Sequence, residues 1–404
     1  MTVKEYFERY IAVDTQSDSA SGEQPSTSGQ LMLGMILVGD LLELGVHAQM
    51  DEFGYVYGEI PASAGCEERP AIGLLAHMDT SEAASGRDIR FRTIEYKGGD
   101  VVRSAEKNIV MRVSDFPDLN DQIGKHLIIT DGTTLLGADD KAGIAEIMAL
   151  CETLMQNKTL SHGPIRIAFT PDEEIGQGTA HFDLERFGAD FAYTVDGGAL
   201  GELEYENFNA ASATLEIAGV STHPGTARGK MVNACLVAHE FVSLLPQDAR
   251  PETTMDREGF FHLCDMTGDC EHATLSYIIR DHGREKFEQK KAFFQSAAAL
   301  LREKYPKAAV TATVKDSYFN MIEVMRDHMD VVDRAARAMR ACGVEPIVQP
   351  IRGGTDGAML SFRGLPCPNL STGGYHFHGR FEYIPAESME TMVRVLTALV
   401  CDEE

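Results

Sequence analysis

Three short, continuously apolar runs constrain the fold of this chain more than any other feature. They are AIGLLAH at 71–77, IRIAFT at 165–170 and FAYTV at 191–195. Runs of this length without polar alternation are typical of strands that are buried on both faces of a parallel sheet. Helical stretches separate them, among them residues 141–155, and this alternation predicts a sheet of the α/β class.

The order of predicted helices and strands changes near residue 206, and this change predicts two domains. The chain has 404 residues, and single hydrophobic cores usually divide beyond about 250–300 residues. Residues 207–321 follow the order strand, helix, two strands, helix, strand, which is the ferredoxin-like arrangement. After residue 322 the alternation of helices and strands seen in the first part of the chain resumes, with a helix near 329–342 and a strand at 364–370. We therefore expect a discontinuous domain of residues 1–206 and 322–404, with residues 207–321 inserted into it.

Charge and cysteine content exclude several classes of protein. The chain has 36 Lys and Arg against 62 Asp and Glu, a net charge of −26, which is the opposite of what phosphate binding needs. We expect no nucleic-acid partner. The eight cysteines form no CxxC pair and are too sparse for a disulfide scaffold. The N-terminal segment lacks the apolar core of a signal peptide. These features favour a cytoplasmic protein without a membrane partner.

Each apolar run is followed by side chains that could bind a metal or transfer a proton. They are His77 and Asp79, then Asp172, Glu173 and Glu174, and finally Asp196. Because the carboxyl ends of parallel strands meet at one edge of a sheet, we expect these side chains to lie together. In a pair of adjacent glutamates, one can hold a metal while the other acts as a general base toward water.

Two glycine-flanked motifs supply further candidates. LLGADDKAG at 135–143 places Asp139 and Asp140 at the start of a helix, and TGGYHFHGR at 372–380 contains His376 and His378. Each has an ordinary alternative, since aspartates cap helices and single histidines are often structural. Helix and strand patterns leave open which aspartate and which histidine binds a metal. Nitrogen and oxygen ligands without thiolates favour zinc.

These motifs together resemble the tripeptide aminopeptidases of the co-catalytic zinc peptidase family, which also contains aminoacylases, carboxypeptidases and dipeptidases. The resemblance covers nearly the whole chain. Its distinctive parts are HMDTS, TTLLGADDKAGIAEI, FTPDEEIGQG, YTVDGG, HPGTARGKMVNA, YIIRD, PIRGGTDGA and LPCPNLSTGGYHFHG. It implies a zinc-peptidase α/β/α catalytic domain with an inserted ferredoxin-like lid. It also implies that short peptides are hydrolysed with two zinc ions per subunit.

The resemblance further implies a role for individual residues. Asp139 would bridge the two zinc ions, His77 and Asp196 would complete one site, and Glu174 and His378 would complete the other. Glu173 would be the general acid and base, and Asp79 would orient His77. His376 departs from the family pattern, in which an amide is more typical.

Four residues are candidates for substrate binding. By resemblance, His223 in the HPG turn would reach the oxyanion. Arg352 in IRGGTDG would bind the terminal carboxylate of the peptide, since a guanidinium matches a carboxylate with two hydrogen bonds, and Arg280 and Asn233 are weaker candidates. The alternatives are an N-acyl amino acid deacylase, dipeptidase or carboxypeptidase of the same family, and a binding protein that has lost catalysis. The sequence leaves the oligomeric state open, a homodimer included.

Overall fold

The computed structural model describes residues 1–401, which form two compact units. The first unit comprises Met1–Tyr205, Val324–Gln349 and the chain from Thr355, and the second comprises Glu206–Glu323 and Pro350–Gly354. The expected boundaries lie within two residues of these at both ends of the insertion. The expectation that residues 350–354 belong to the first unit is wrong. Ile351 forms a parallel bridge with Asn207, and the Arg352 guanidinium lies over the ring of Phe208.

Both helices and strands occur in each of the two units. The helices are α1 Val3–Ile11, α2 Ser28–Glu43, α3 Ala138–Gln156, α4 Leu184–Phe187, α5 Ala234–Leu244, α6 Arg284–Lys304, α7 Ile322–Met325, α8 Met329–Ala341, α9 Asp356–Phe362 and α10 Ala386–Cys401. The strands are β1 His47–Met50, β2 Val56–Ile60, β3 Ile72–His77, β4 Phe91–Glu95, β5 Val101–Ser104, β6 Ile109–Met111, β7 His126–Thr130, β8 Ile165–Thr170, β9 Phe191–Gly197, β10 Glu202–Glu204, β11 Asn209–Ala218, β12 Phe260–Gly268, β13 His272–Asp281, β14 Ala309–Tyr318, β15 Ile347–Val348, β16 Asn369–Ser371 and β17 Tyr383–Pro385. Across residues 1–401, we find no helix with the length and apolar character that crossing a membrane requires.

An eight-stranded mixed sheet forms the centre of the first unit. Its strand order is β1-β2-β8-β3-β9-β16-β10-β15. Strand β3 is parallel to β8 on one side and to β9 on the other, and all of its residues are buried. The prediction that the three apolar runs lie side by side as buried parallel strands is confirmed. Their carboxyl ends therefore meet at one edge of the sheet.

Two features of the first unit differ from the sequence-based expectations. The expected strand at 364–370 is wrong over most of its length, because Pro366 and Pro368 lack the N–H groups that a strand needs, and β16 begins only at Asn369. The segment between β3 and α3, for which the sequence analysis gave no elements, forms the β5–β6 hairpin. It also contributes β4 and β7, which join β17 in a three-stranded sheet of order β17-β7-β4.

The second unit is a four-stranded antiparallel sheet with two helices. The chain order is β11, α5, β12, β13, α6 and β14, and the sheet order is β12-β13-β11-β14. This is the ferredoxin-like arrangement that the sequence predicts. Its core joins the helices to the sheet, with Phe241 of α5 and Phe294 of α6 packed against Tyr277 of β13.

Gly143 sets how closely α3 approaches β9 in the first unit. A Cβ atom at this position would lie 1.9 Å from the backbone oxygen of Val195, the residue before Asp196. Even one additional methyl group would therefore push the helix and the strand apart.

We predict that Gly143→Ala lowers the free energy of unfolding by about 1–3 kcal/mol, because the added methyl group overpacks the α3–β9 contact. Urea denaturation of both proteins measures the change. Gly39→Ala in α2 is the matched control, since a Cβ there would meet no surrounding heavy atom within 4 Å. Alanine at that open helical position should raise the free energy of unfolding by about 0.5–1 kcal/mol. A Gly143 variant as stable as the Gly39 variant would contradict the close approach.

Candidate metal centre

Side chains from five segments converge at the carboxyl edge of the central sheet. His77 ends β3, Asp139 lies in the first turn of α3, Glu174 follows β8, Asp196 lies in β9, and His378 lies in the loop before β17. They form two groups of potential ligands, His77–Asp139–Asp196 and Asp139–Glu174–His378. Within each group the ligand atoms lie within 4.8 Å of one another. The structure therefore brings together the five residues expected to bind metal.

Asp139 belongs to both groups and presents one carboxylate oxygen to each. Its Oδ1 lies 2.8 Å from Nε2 of His77, and its Oδ2 lies 2.9 Å from Nε2 of His378. The same His77 nitrogen lies 3.4 Å from Oδ1 of Asp196, and the His378 nitrogen lies 3.0 Å from Oε1 of Glu174. A carboxylate placed between two imidazoles in this way would offer one oxygen to each of two metal ions.

The electrostatics of the two groups fit bound cations. Burial raises the pKa of Asp196 to about 7 and also raises the pKa of Glu174. Hydrogen bonds to Asp139 and Glu174 raise the pKa of His378 to about 11. Without a metal, protons thus compensate the crowded carboxylates. A metal ion can replace those protons, because it stabilises carboxylates and binds neutral imidazole.

Asp79 supports both His77 and the acidic turn after β8. Nδ1 of His77 lies 3.0 Å from the Asp79 backbone oxygen and 3.3 Å from its carboxylate Oδ1. The carboxylate itself accepts the backbone N–H groups of Glu173 and Glu174, at 3.0 and 3.1 Å. Asp79 is fully buried. It therefore fixes the position of the two glutamates as well as the orientation of the histidine, and only the second role was expected.

Glu173 begins the short 3-10 helix Glu173–Ile175 beside the ligand groups. Burial and the nearby Asp196 carboxylate raise the pKa of Glu173 well above its usual value, against the opposing effect of His77. A carboxyl group with a raised pKa can accept and return a proton near neutral pH. Glu173 therefore has the electrostatic environment of a general acid and base.

Asp172, immediately before this turn, forms hydrogen bonds that hold the local structure and belongs to neither ligand group. It adopts a left-handed backbone conformation with φ 58°. Its carboxylate accepts hydrogen bonds from the Ser26 backbone N–H, the Ser26 hydroxyl and the Gln30 side chain, at 2.7, 2.5 and 2.7 Å. These bonds attach the acidic turn to the start of α2.

Asp140 and His376 lie outside both ligand groups. The Asp140 carboxylate accepts the backbone N–H groups of His77 and Gly143, at 3.1 and 3.2 Å, so it serves the local backbone as a helix-capping residue does. Nε2 of His376 lies 3.0 Å from each carboxylate oxygen of Asp118. The geometry thus separates Asp139 from Asp140 and His378 from His376, choices that the patterns left open.

Glu382 is a functional candidate that the sequence analysis missed. Its buried carboxylate accepts four successive backbone N–H groups at the entry to α3, those of Leu136, Gly137, Ala138 and Asp139, at 2.6, 2.9, 2.7 and 3.1 Å. Burial raises its pKa to about 7. The available signal was a single acid in the otherwise apolar segment FEYIP. Glu382 holds the backbone that presents Asp139.

His223 and Asn233 lie in the second unit. His223 is exposed and precedes the short 3-10 helix Pro224–Thr226, where its Nδ1 accepts the Gly225 N–H at 3.2 Å. The neutral ring therefore carries its proton on Nε2, which leaves that atom as a hydrogen-bond donor. Asn233 caps α5, because its side-chain oxygen accepts the Cys235 N–H at 3.0 Å. Its amide nitrogen is not used in that cap.

Arg280 and Arg352 also lie in the second unit and are joined there. Nη1 of Arg280 donates to the Arg352 backbone oxygen at 2.8 Å. The Arg352 guanidinium donates to the Asp256 backbone oxygen at 2.5 Å and to the Thr254 hydroxyl at 3.3 Å. A guanidinium has five N–H donors, so these two bonds leave capacity for an anionic group.

Residues 131–402 match the model of peptidase family M20/M25/M40, which is well over half of the chain. The chain belongs to this peptidase family. The resemblance inferred from the motifs, and the expectation of a peptide-bond hydrolase, are confirmed.

Relatives that match nearly the whole chain are also peptidases. The peptidase T of Parabacteroides distasonis is 51% identical over 401 residues, which cover 98% of each chain. The peptidase T of Clostridium perfringens is 51% identical over 400 residues and also covers 98% of each.

Three solved structures share the fold of this chain. The aminopeptidase PepT of Bacillus cereus has a TM-score of 0.77 at 24% identity, and covers 99% of this chain and 97% of its own. A tripeptidase of Staphylococcus aureus has a TM-score of 0.78 at 20% identity, with coverages of 98% and 96%. A Bacillus subtilis protein described as a dinuclear metal binding peptidase has a TM-score of 0.63 at 13% identity, covering 98% of both chains.

We predict that Glu382→Gln weakens metal retention about 10- to 100-fold, the usual effect of losing a residue that orients a ligand. A glutamine has one acceptor oxygen and cannot accept four N–H groups, so the Asp139 backbone would relax. Metal content after dialysis against a graded series of chelator concentrations measures the effect. Glu387→Gln is the matched control, because its exposed carboxylate also accepts a backbone N–H, that of His126. Equal metal retention in the two variants would contradict the role given to Glu382.

Proposed function

We propose that this family member is a two-zinc aminopeptidase that releases the N-terminal residue from tripeptides. The observation that carries the proposal is the Asp139 carboxylate, which divides its two oxygens between His77 and His378. Relatives of half-identical sequence over nearly the full length are peptidases T, which supports the choice of substrate class.

The ligand chemistry supports zinc as the metal. His77 and Asp196 would complete one site around Asp139, and Glu174 and His378 would complete the other. Histidine nitrogen and carboxylate oxygen are ligands that zinc accepts, and neither group contains a thiolate. When bound, such a pair of ions supplies positive charge that makes water more acidic and polarises the peptide carbonyl.

Glu173 would move the proton in this reaction. Its raised pKa allows the carboxylate to take a proton from the attacking water and to return it to the leaving amine. Asp79 holds the Glu173 backbone through a hydrogen bond of 3.0 Å, which limits the positions open to the side chain. His77 and Glu173 are thereby positioned by the same carboxylate.

The second unit would supply the groups that recognise the substrate. Nε2 of His223 is a donor suited to a developing oxyanion, and such donors contribute roughly 10²- to 10³-fold in rate. Arg352 would bind the terminal carboxylate of the peptide, and the Arg280 and Asn233 side chains would contribute further N–H donors. A requirement for that carboxylate would favour short peptides of defined length.

A cytoplasmic location fits the cysteines. All eight are free thiols, as expected in a reducing compartment.

We predict that Glu173→Gln lowers kcat for tripeptides by about 10²- to 10⁴-fold, because the amide cannot accept the proton of water. Metal content should be unchanged, since Glu173 belongs to neither ligand group. The measurements are kcat with saturating Zn²⁺ and the metal content by mass spectrometry. Glu185→Gln on α4 replaces an exposed glutamate and is the control. Full activity of the Glu173 variant would refute the mechanism.

A substrate panel tests the specificity directly. The enzyme should cleave tripeptides with a free α-amine after chelator treatment and restoration with Zn²⁺. Preferential cleavage of N-acyl amino acids would identify a deacylase instead. Release of the C-terminal residue would identify a carboxypeptidase. A zinc-loaded protein that cleaves none of these substrates would support the non-catalytic alternative.

We predict that Arg352→Ala raises KM for tripeptides about 10- to 100-fold, because hydrogen bonds to charged groups contribute about 1.5–3 kcal/mol. The KM for the corresponding C-terminal amides should change much less. Steady-state kinetics on paired acids and amides give the comparison. Arg302→Ala removes an exposed arginine of α6 in the same unit and serves as the control. An equal loss on acids and amides would contradict carboxylate binding by Arg352.

A further inference from the structure

The loop that carries His378 is closed at its base and unusual in its backbone. Tyr375 and Tyr383 exchange backbone hydrogen bonds of 2.9 and 3.1 Å, so residues 375–383 form one closed loop. Both His376 and His378 have positive φ angles, 56° and 57°. Residues with side chains adopt this conformation at a cost, and it persists where surrounding contacts hold it. The contacts that hold this loop therefore determine where His378 lies.

Several of these contacts come from the short 3-10 helix Pro117–Gln122, between β6 and β7. Its Asp118 carboxylate lies 3.0 Å from Nε2 of His376 through both oxygens, and accepts the Tyr383 hydroxyl at 2.5 Å. Gln122 donates to the Tyr375 hydroxyl at 3.1 Å. The short helix thus holds the loop at its base and at His376.

Aromatic contacts from Phe116, next to the short helix, also hold this loop. The ring of Phe116 meets the His376 ring edge-on, with centroids 4.7 Å apart, and lies 5.0 Å from the ring of Phe381. His376 is therefore fixed from two sides, by a carboxylate and by an aromatic ring. Two residues further on, His378 is half exposed and has its ring nitrogen directed at Asp139 and Glu174.

We propose that His376 is a positioning residue for one of the two metal sites. Its hydrogen bond to Asp118 holds the loop so that Nε2 of His378 faces Asp139 and Glu174. The inference rests on the proposed two-metal site. Since only the Asp139–Glu174–His378 group takes a ligand from this loop, the contact acts on that group and not on the His77 group.

Zinc titration of the metal-free protein by calorimetry tests this inference without any assay of activity. His376→Ala should weaken one of the two binding events about tenfold, within the range known for residues that orient ligands, and leave the other unchanged. Asp118→Ala should weaken the same binding event at least as much, because it also removes the acceptor of the Tyr383 hydroxyl. The double variant should lose less than the sum of the two single losses, because both changes remove the shared His376–Asp118 contact.

Two further variants make the result specific. His376→Gln keeps an N–H donor at similar reach and should restore most of the lost affinity. His126→Ala removes another histidine–carboxylate contact of the first unit, to Glu387 at 2.7 Å, and should bind both zinc ions as the unchanged protein does.

Three results would overturn the inference. Unchanged binding of both ions in His376→Ala would show that the contact does not position His378. Complete loss of one zinc equivalent in His376→Ala, whether or not Asp118 is also replaced, would identify His376 as a metal ligand. Uptake of a single equivalent by the unsubstituted protein would refute the two-metal site itself, so this failure differs from the other two.

Discussion

The two ligand groups depend on a single carboxylate placed between two imidazoles. Asp139 can present one oxygen to each group because other acidic residues hold the backbone around it. Glu382 accepts the N–H groups that lead into α3, and Asp140 accepts those of His77 and Gly143. Gly143 lets α3 lie against β9, which carries Asp196. The position of Asp139 is thus set by backbone contacts.

The acidic residues near the site divide into two kinds according to the groups that their carboxylates face. Asp79, Asp172 and Glu382 accept backbone or side-chain N–H groups, which compensate their burial. The three carboxylates of the ligand groups, those of Asp139, Glu174 and Asp196, face one another and the histidines instead. The first kind builds the frame, and the second kind concentrates negative charge where a cation would bind. Acidic residues a few positions apart therefore have different roles, since one kind holds the backbone and the other faces a candidate cation site.

The sequence was sufficient to predict the frame of the first unit and the ferredoxin-like order of the second. Apolar runs at 71–77, 165–170 and 191–195 are local signals, and parallel pairing follows from them. The sheet β17-β7-β4 was missed because it pairs Tyr383 with Ile129, residues far apart in the chain, through short strands without a continuous apolar run. Glu382 was missed for the same reason, since its partners lie more than 240 positions away.

Choices between neighbouring residues were the part that helix and strand patterns could not make. Glu173 and Glu174 follow a left-handed residue, Asp172, and His376 and His378 are themselves left-handed. In such backbone the simple alternation of side chains no longer holds, so the direction of each side chain depends on contacts made elsewhere. For His376 that contact is Asp118, in the segment inserted between β3 and α3. The segment between β3 and α3 therefore contacts the loop that carries His378, although none of its residues belongs to either group of potential ligands.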